Sequence, residues 1–334
     1  MSKRPSVDRS DQSPSTPELA AGNFQPPSMR RLVAMVYEFG LLLIITLTVI
    51  CVSPLAVDPA LKLQPLSLLG MVIPTDFLML PAVHAILQIL TLIAIGLWVL
   101  KKATRWIYVA TPILFIAFMS TVVESHYFIH HQSHFAAMAL VLLGAARFSG
   151  SKPTKDLATN DSNTNQSAPV DPLPGWCFML LVYYIGISYT FSGISKLYYS
   201  GWAWGDGSSL MMWVEAKASG RDNLLFELLT NHHWLASTLQ TTTLITELFA
   251  ILFLFIPRLR PIFGLVFVGF HLSIEILFGF SFIPNIFLDA YILIVCFMVP
   301  EYRINGLQFF SELLSRGPTS LFSGTGEAEL QATN

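Results

Sequence analysis

The chain has 334 residues, of which 53% are hydrophobic and only 12% are charged, and its mean hydropathy is +0.59. Soluble globular domains carry about 25% charged residues, so the composition excludes a soluble enzyme and predicts an all-α integral membrane protein embedded in a lipid bilayer. The net charge of −2 comes without a basic run of the kind that binds phosphates, and this excludes nucleic acid as a partner.

A polar stretch precedes a long series of apolar segments. Residues 1–31 are rich in Ser, Pro and charged side chains, which is typical of a disordered tail. The rest predicts a polytopic bundle of about eight transmembrane helices, because one span needs about 20 apolar residues. We expect the membrane domain to cover 32–305 and a second cytoplasmic tail to cover 306–334. The predicted spans are 32–53, 79–100, 105–124, 133–148, 176–197, 236–256, 261–280 and 283–299.

Two longer interruptions differ in character. Residues 149–174 are rich in Ser, Thr, Asn, Asp and Pro and predict a polar loop. Residues 198–235 contain two apolar pieces, 207–217 and 223–231, which predict short helices lying on the membrane surface.

The distribution of basic residues orients the spans. With the N-terminus in the cytoplasm, fifteen of the nineteen Lys and Arg residues fall in inner segments and three fall in outer ones. The remaining one, Lys196, lies inside the fifth span. The sequence therefore predicts a multi-pass protein with both termini cytoplasmic, in a bacterial inner membrane or a eukaryotic endomembrane.

Ionisable side chains inside the predicted spans concentrate at mid-depth or toward the outer side, with Glu38 as the exception. Such groups are rare in membranes and usually face a protein interior or a wet cavity. We therefore expect a shared cavity that opens outward. Polar residues at helical spacing are Tyr184, Ser188, Ser192 and Lys196 in the fifth span, Gln240, Thr243 and Glu247 in the sixth, and His271 and Glu275 in the seventh, with Asp289 in the eighth.

Each candidate also has an interpretation without chemistry. Lys196 can extend its amine to the outer headgroups, and Glu247 can brace a neighbouring helix through a hydrogen bond. His271 can be a hydrogen-bonded core histidine, while Trp202 and Trp204 fit an interfacial aromatic belt.

The histidines between the third and fourth spans allow either an interfacial turn or a metal site. Only His126–His130 and His130–His134 have the spacing of one helix face, and no cysteine lies nearby. We therefore expect no metal.

Residues 191–207, Phe-Ser-Gly-Ile-Ser-Lys-Leu followed by Gly-Trp-Ala-Trp-Gly-Asp-Gly, resemble the signature of the HTTM domain. This membrane domain is shared by vitamin K-dependent gamma-carboxylases and many bacterial proteins. Further matches follow in order: the Glu247 helix running into 257–261, Phe270-His271-Leu272 with 278–280 and Pro284 beyond it, and Pro300-Glu301-Tyr302. The resemblance covers roughly residues 30–305.

The resemblance implies a chemistry. In the carboxylases the lysine of the Gly-x-x-Lys-Leu stretch deprotonates vitamin K hydroquinone, and this role falls on Lys196. A lysine removed from water favours its neutral form, which is a base. The reduced quinone and oxygen then give a strong base, which takes a proton from a substrate glutamate before carbon dioxide adds. A carbon–carbon lyase or carboxylase activity is thus implied, with a reduced quinone as cofactor and a peptide substrate or partner protein.

The resemblance also assigns residues. His271 matches the family histidine on the Phe-His helix and is expected to orient or charge-balance the quinol. The family's Asn-His-Ser stretch aligns with His131-Gln132-Ser133, so Gln132 stands where the family has histidine. Besides the catalytic candidates Lys196 and His271, the residues expected to line the quinol or substrate site are Tyr184, Ser192, Gln132, Glu247, Glu275 and Trp204.

Other functions stay open at this point. The carboxylases carry a large lumenal domain that captures a propeptide, whereas this sequence ends with the tail 306–334, so we do not expect propeptide-directed carboxylation. One alternative is a peptide-maturation or export factor that works with a partner protein and without quinol chemistry, as for the sporulation-delaying toxin peptide. A transporter ranks last, because no inverted repeat with broken helices is evident.

Overall fold

The structure, a computed structural model, describes most of the apolar part of the chain. Helices make up its regular structure, and no strand occurs among the described residues. Most of the predicted tails 1–31 and 306–334 and most of the polar loop 149–174 lie outside this part. Residues 29–31 of the first tail are helical and begin the first helix. The described residues are 29–51, 70–100, 104–125, 133–150, 173–218, 224–278, 282–299, 302–303, 306–311 and 314.

The helices are numbered in chain order. They are α1 (Met29–Cys51), α2 (Thr75–Leu78), α3 (Pro81–Val99), α4 (Ile107–Ser125), α5 (His134–Gly150), α6 (Gly175–Ser200), α7 (Ser208–Ala218), α8 (Leu224–Asn231), α9 (His233–Leu248), α10 (Leu252–Phe255), α11 (Arg260–Phe278) and α12 (Ile283–Leu288). A 3-10 turn, Gly201–Asp206, links α6 to α7, and a π-helix, Asp289–Val295, continues α12.

Each of the eight predicted apolar segments contains helix, which confirms the all-helical class. The number of crossings is not settled by this, because four helical segments within the described part of the chain are long and apolar enough to cross a membrane. These four are Met29–Cys51, Pro81–Val99, Gly175–Asp206 and Pro257–Phe278. Three shorter apolar helices are Ile107–Val123, His134–Ser149 and Ile283–Met298.

The sixth predicted segment is interrupted, because α9 ends at Leu248 and α10 begins only at Leu252. A new helix start exposes backbone N–H groups that need partners. One of them, the N–H of Ile251, donates to Oγ1 of Thr190 on α6 over 3.0 Å. The interruption is thus stabilised from a neighbouring helix, which a single-segment pattern does not reveal.

An ion pair joins three helices at one end of the bundle. Arg147 near the end of α5 donates to the carboxylate of Glu38 on α1, and Nε1 of Trp98 on α3 donates to Oε1 of Glu38 over 2.8 Å. This pairing gives Glu38, the exception to the outward trend of ionisable groups, a partner of opposite charge.

Helices α7 and α8 cover one flank of α9 and α11. They form where the sequence predicts short surface helices. Their apolar sides meet in a small cluster of buried residues: Val214, Leu229, Ala236 and Leu277. The α6–α7 connection is therefore packed onto the bundle. The helix that follows it, α7, lies close to the end of α6.

Helices α4 and α5 approach so closely at Gly144 that a Cβ atom there would lie 2.2 Å from the carbonyl oxygen of Tyr108. We expect Gly144→Ala to separate the two helices and to lower the free energy of unfolding by about 1–3 kcal/mol. Thermal unfolding of the purified chain in detergent measures this. Gly96→Ala on α3 is the matched control, since nothing lies within 4 Å of a Cβ there; equal losses in both variants would contradict the packing account.

Candidate functional site

The site begins with a close approach of α6 and α9. A Cβ atom on Gly193 would lie 2.8 Å from the backbone nitrogen of Leu248 and 3.2 Å from the carbonyl carbon of Glu247. A glycine here leaves no side chain between the two helices, as small residues do at many membrane helix contacts. Lys196 follows less than one turn later and therefore reaches Glu247.

Lys196 and Glu247 form an ion pair. The Nζ atom of Lys196 donates to Oε2 of Glu247, and Oγ of Ser192 lies 3.4 Å from Oε1, which is a weak hydrogen bond. The side chain of Glu247 is 4% exposed, whereas that of Lys196 is 21% exposed. The carboxylate is therefore enclosed by protein, and Lys196 is the member of the pair with the more exposed side chain.

The indole ring of Trp204 forms one wall of this pair. The Nζ atom of Lys196 lies 4.6 Å from the ring centroid, within the range of a cation–π contact. The ring belongs to the 3-10 turn that follows α6. This contact places Trp204, one of the predicted site residues, beside Lys196.

Two glycines of the turn, Gly205 and Gly207, lie directly against α9. Gly207 has a φ of +95°, and a Cβ atom there would lie 2.6 Å from the backbone nitrogen of Ser237. The carbonyl oxygen of Gly205 accepts hydrogen bonds from Ser237 Oγ at 3.0 Å and Thr241 Oγ1 at 2.9 Å. The turn is thus fastened to α9, which holds Trp204 beside Lys196.

A second polar cluster lies between α6, α11 and the π-helix. The hydroxyl of Tyr189 is 2.7 Å from Nε2 of His271 and 2.7 Å from Oδ2 of Asp289. All three side chains are almost fully buried: His271 is 4% exposed, Tyr189 is 5% exposed and Asp289 is 0% exposed. Buried polar groups need partners, and the Tyr189 hydroxyl is the shared partner here.

The two clusters lie along the same side of α6. Tyr189 and Lys196 are seven residues apart, so their directions differ by only about 20° and their heights by about 10 Å. His271 interacts electrostatically with Lys196 and His134, and Tyr189 does so with Glu247. The predicted catalytic residues Lys196 and His271 therefore belong to neighbouring clusters.

Other predicted site residues lie elsewhere. The hydroxyl of Tyr184 is 3.0 Å from Nδ1 of His134, one helix away from the ion pair. Oε2 of Glu275 accepts the backbone N–H of Phe282 over 2.9 Å, and Phe282 stacks on His271. Glu275 therefore supports the wall of the second cluster. Gln132 and the histidines 126, 130 and 131 lie outside the described residues.

The sequence analysis assigns no role to Tyr189, although its hydroxyl connects His271 and Asp289 in the second cluster. The available signal is its seven-residue separation from Lys196, which a search for four-residue steps passes over. The described residues include no group of three or more His, Cys, Asp or Glu side chains that could hold a metal ion.

A double-mutant cycle tests the coupling of the ion pair. Lys196→Met leaves the enclosed carboxylate of Glu247 without its cation, and we expect a loss of about 1–3 kcal/mol in unfolding free energy. The double variant, Lys196→Met with Glu247→Gln, should lose less unfolding free energy than the two single variants lose in sum. The difference should exceed about 0.5 kcal/mol. Lys196→Met combined with Glu38→Gln is the control, because Glu38 belongs to the other ion pair; additivity in both combinations would contradict the coupling.

The chain was compared with known proteins. The family model for the HTTM domain matches residues 125–299, which is more than half of the chain and includes both polar clusters. The same domain is found in the membrane part of vitamin K-dependent carboxylases. No curated protein and no solved structure matches the chain. This chain belongs to the HTTM-domain family of membrane proteins.

Proposed function

We propose that this chain is a membrane-embedded enzyme that modifies a peptide or small substrate in a carboxylase-like, quinol-dependent reaction, with Lys196 as the base. The observation that supports the proposal most is the Lys196–Glu247 pair, which joins a partly exposed lysine side chain to an enclosed carboxylate. Ionisable groups inside a membrane domain are costly and are usually functional. Simple anchoring to headgroups would not require a buried acid as partner.

The ion pair can produce a neutral amine, which is a base, without changing its total charge. An ammonium next to a carboxylate holds the same number of protons as an amine next to a carboxylic acid. Proton transfer from Lys196 to Glu247 therefore produces a neutral amine, and interacting groups of this kind share their protons as a unit. The amine can then accept a proton from a ligand hydroxyl near Trp204.

A reduced quinone fits the residues present. When bound, it supplies a hydroxyl proton and, together with oxygen, the strong base that a carboxylase-like reaction needs. Lys196 and Trp204 would hold one side through the amine and the ring face. His271 would hold another side, because its Nδ1 atom is buried and has no hydrogen-bond partner among the described residues.

Exposed aromatic side chains next to the site favour a peptide substrate or a partner protein. Tyr198 and Tyr199 are each 80% exposed and Trp202 is 71% exposed, and all follow directly after Lys196. Aromatic side chains are enriched where proteins bind one another. The same surface would serve a peptide-maturation factor that acts with a partner and without a quinol, which is the second candidate function.

We further propose that the chain crosses the membrane eight times, with both termini in the cytoplasm and the Lys196 cluster facing outward. Tyr37 on α1 contacts Phe178 near the start of α6, and Lys196 is about 27 Å further along the helix axis. The Glu38–Arg147 pair, one residue from Tyr37, therefore marks the opposite end of the bundle.

Cysteine labelling tests this orientation. In a Cys51→Ser background, which removes the exposed native thiol, a membrane-impermeant maleimide should label Tyr198→Cys in intact cells. It should label Leu100→Cys, whose position is 64% exposed, only after the membrane is opened. The reverse pattern would contradict the orientation. Labelling of both positions in intact cells would contradict their placement on opposite sides of the membrane.

Mass spectrometry of peptides from cells that produce the chain tests the reaction. Wild type should yield glutamate-containing peptides heavier by one carbon dioxide, and Lys196→Ala should reduce their yield by about 100-fold or more, as expected for loss of a general base. Glu38→Gln is the matched control: it breaks the other ion pair and should leave the modification in place. Quinone depletion should abolish the product.

Two outcomes would contradict the proposal. Carboxylated peptides that persist with Lys196→Ala would remove Lys196 from the chemistry. A peptide modification that persists in quinone-depleted cells, and depends on a co-produced small protein, would instead support the peptide-maturation function.

A further inference from the structure

The geometry of the second cluster makes Tyr189 a bridge. Its hydroxyl is 2.7 Å from His271 Nε2 and 2.7 Å from Asp289 Oδ2, whereas Nε2 and Oδ2 are 3.6 Å apart. The imidazole and the carboxyl group are therefore linked by hydrogen bonds through the hydroxyl, because the 3.6 Å between Nε2 and Oδ2 is too long for a direct hydrogen bond.

The number of hydrogens allows two arrangements of this bridge. A phenolic hydroxyl has one hydrogen to donate. If Asp289 is a carboxylate, Tyr189 donates to it, Nε2 of His271 donates to Tyr189, and Nδ1 is bare. If Asp289 is protonated, it donates to Tyr189, which donates to Nε2, and Nδ1 holds the hydrogen.

We propose that His271, Tyr189 and Asp289 form a proton relay, which accepts a proton at Nδ1 of His271 and stores it on Asp289. As Nδ1 gains a proton, Nε2 passes its proton to the oxygen of Tyr189, and Tyr189 passes its own to Oδ2 of Asp289. Inside the relay one N–H and two O–H bonds form, at Nδ1, Tyr189 and Asp289, while one N–H and one O–H bond break, at Nε2 and Tyr189. The remaining bond that breaks is the O–H bond of the ligand hydroxyl that gives its proton to Nδ1. The imidazole is neutral before and after, so no imidazolium has to be accommodated in a buried site, where a charge is costly.

The free ends of the relay are the two atoms that lack partners. His271 Nδ1 and Asp289 Oδ1 are buried and have no hydrogen-bond partner among the described residues. A buried unpaired polar atom costs about 1–3 kcal/mol, and a role in proton chemistry is one explanation of its presence. Nδ1 is thus the end of the relay that gains a proton. A quinol hydroxyl as the source of that proton rests on the proposed function, whereas the relay itself does not.

Packing fixes the rings of the relay in place. The ring of Tyr189 stacks on Phe267 with centroids 3.7 Å apart, and the imidazole of His271 stacks on Phe282 at 4.8 Å. Asp289 is the first residue of the π-helix, a conformation that is rare and often found at functional sites. The donor and acceptor atoms therefore stay aligned while protons move.

The close approach of α11 to the π-helix sets the distance across the relay. A Cβ atom on Gly264 would lie 2.9 Å from the Cβ atom of Leu293 and 3.3 Å from the carbonyl oxygen of Asp289. Gly264 is seven residues before His271 and therefore lies on nearly the same face of α11. A larger residue at this position would move His271 away from Asp289.

The relay predicts that two observables change together. Isotope-edited NMR reports which nitrogen of His271 holds the hydrogen, with His271→Gln used for assignment. Infrared spectroscopy reports the carboxylic acid of Asp289, with Asp289→Asn used for assignment. Across a pH series on the full-length chain in lipid nanodiscs, the fraction of His271 protonated at Nδ1 should follow the fraction of protonated Asp289. The ionisable groups that interact with the relay are Lys196, Glu247 and His134.

Tyr189→Phe keeps the stacked ring and removes the bridge, so the two fractions should lose their correlation completely. Tyr184→Phe is the matched control, because it removes the other hydroxyl–histidine hydrogen bond of α6 and should leave the correlation intact. If Tyr189→Phe does not fold, Asp289→Asn serves instead, and the His271 tautomer should then be constant with pH.

Three results would overturn the relay. One is protonation of Asp289 while His271 keeps one tautomer; another is formation of an imidazolium in place of the tautomer change. The third is a wild-type cluster in which neither group changes, which would make the network a purely structural brace.

Discussion

The close approach of α6 and α9 at Gly193 is the constraint on which the site depends. A side chain at this position would separate the helices, because its first carbon would already lie 2.8 Å from the backbone of α9. With the helices in contact, Lys196 meets Glu247, and the cost of placing each charge in an apolar domain is offset by the other. The following turn is fastened to the same helix, so one helix pair positions the amine, the acid and the indole.

The two polar clusters are related to each other through α6, one of the two helices in this contact. Helix α6 contributes Lys196 to one and Tyr189 to the other, and the seven-residue separation keeps both on nearly one face. The ionisable groups of the two clusters also interact electrostatically. We infer that one ligand with two hydroxyl groups could engage both clusters, which suits a reduced quinone.

Much of the fold follows from the sequence, because apolar length and helical spacing are local properties. The segments, the short helices α7 and α8, and the candidates Lys196, Glu247 and His271 are all visible in that way. Pairing across helices is not local. Nothing in the spacing of Glu247 shows that its partner is Lys196, and nothing near Glu38 points to Arg147, which is more than one hundred residues away.

The strip of four-residue steps on α6 shows a second limit. Each step of four residues advances about 40° around a helix, so three steps turn the face by about 120°. Tyr184 consequently points to His134 on α5, while Ser192 stays with Lys196 at the ion pair. The interruption between α9 and α10 depends on Thr190 of another helix and is equally invisible to a segment pattern.

A cryo-EM structure of the full-length chain in lipid nanodiscs with a reduced naphthoquinone would test the central claim most directly. The account predicts one quinol hydroxyl in hydrogen-bond contact with Nζ of Lys196 and the other with Nδ1 of His271, beside the ring of Trp204. A quinol bound elsewhere, such as in the apolar groove between α4 and α5 lined by Tyr108 and Pro112, with neither Lys196 nor His271 in contact, would contradict it.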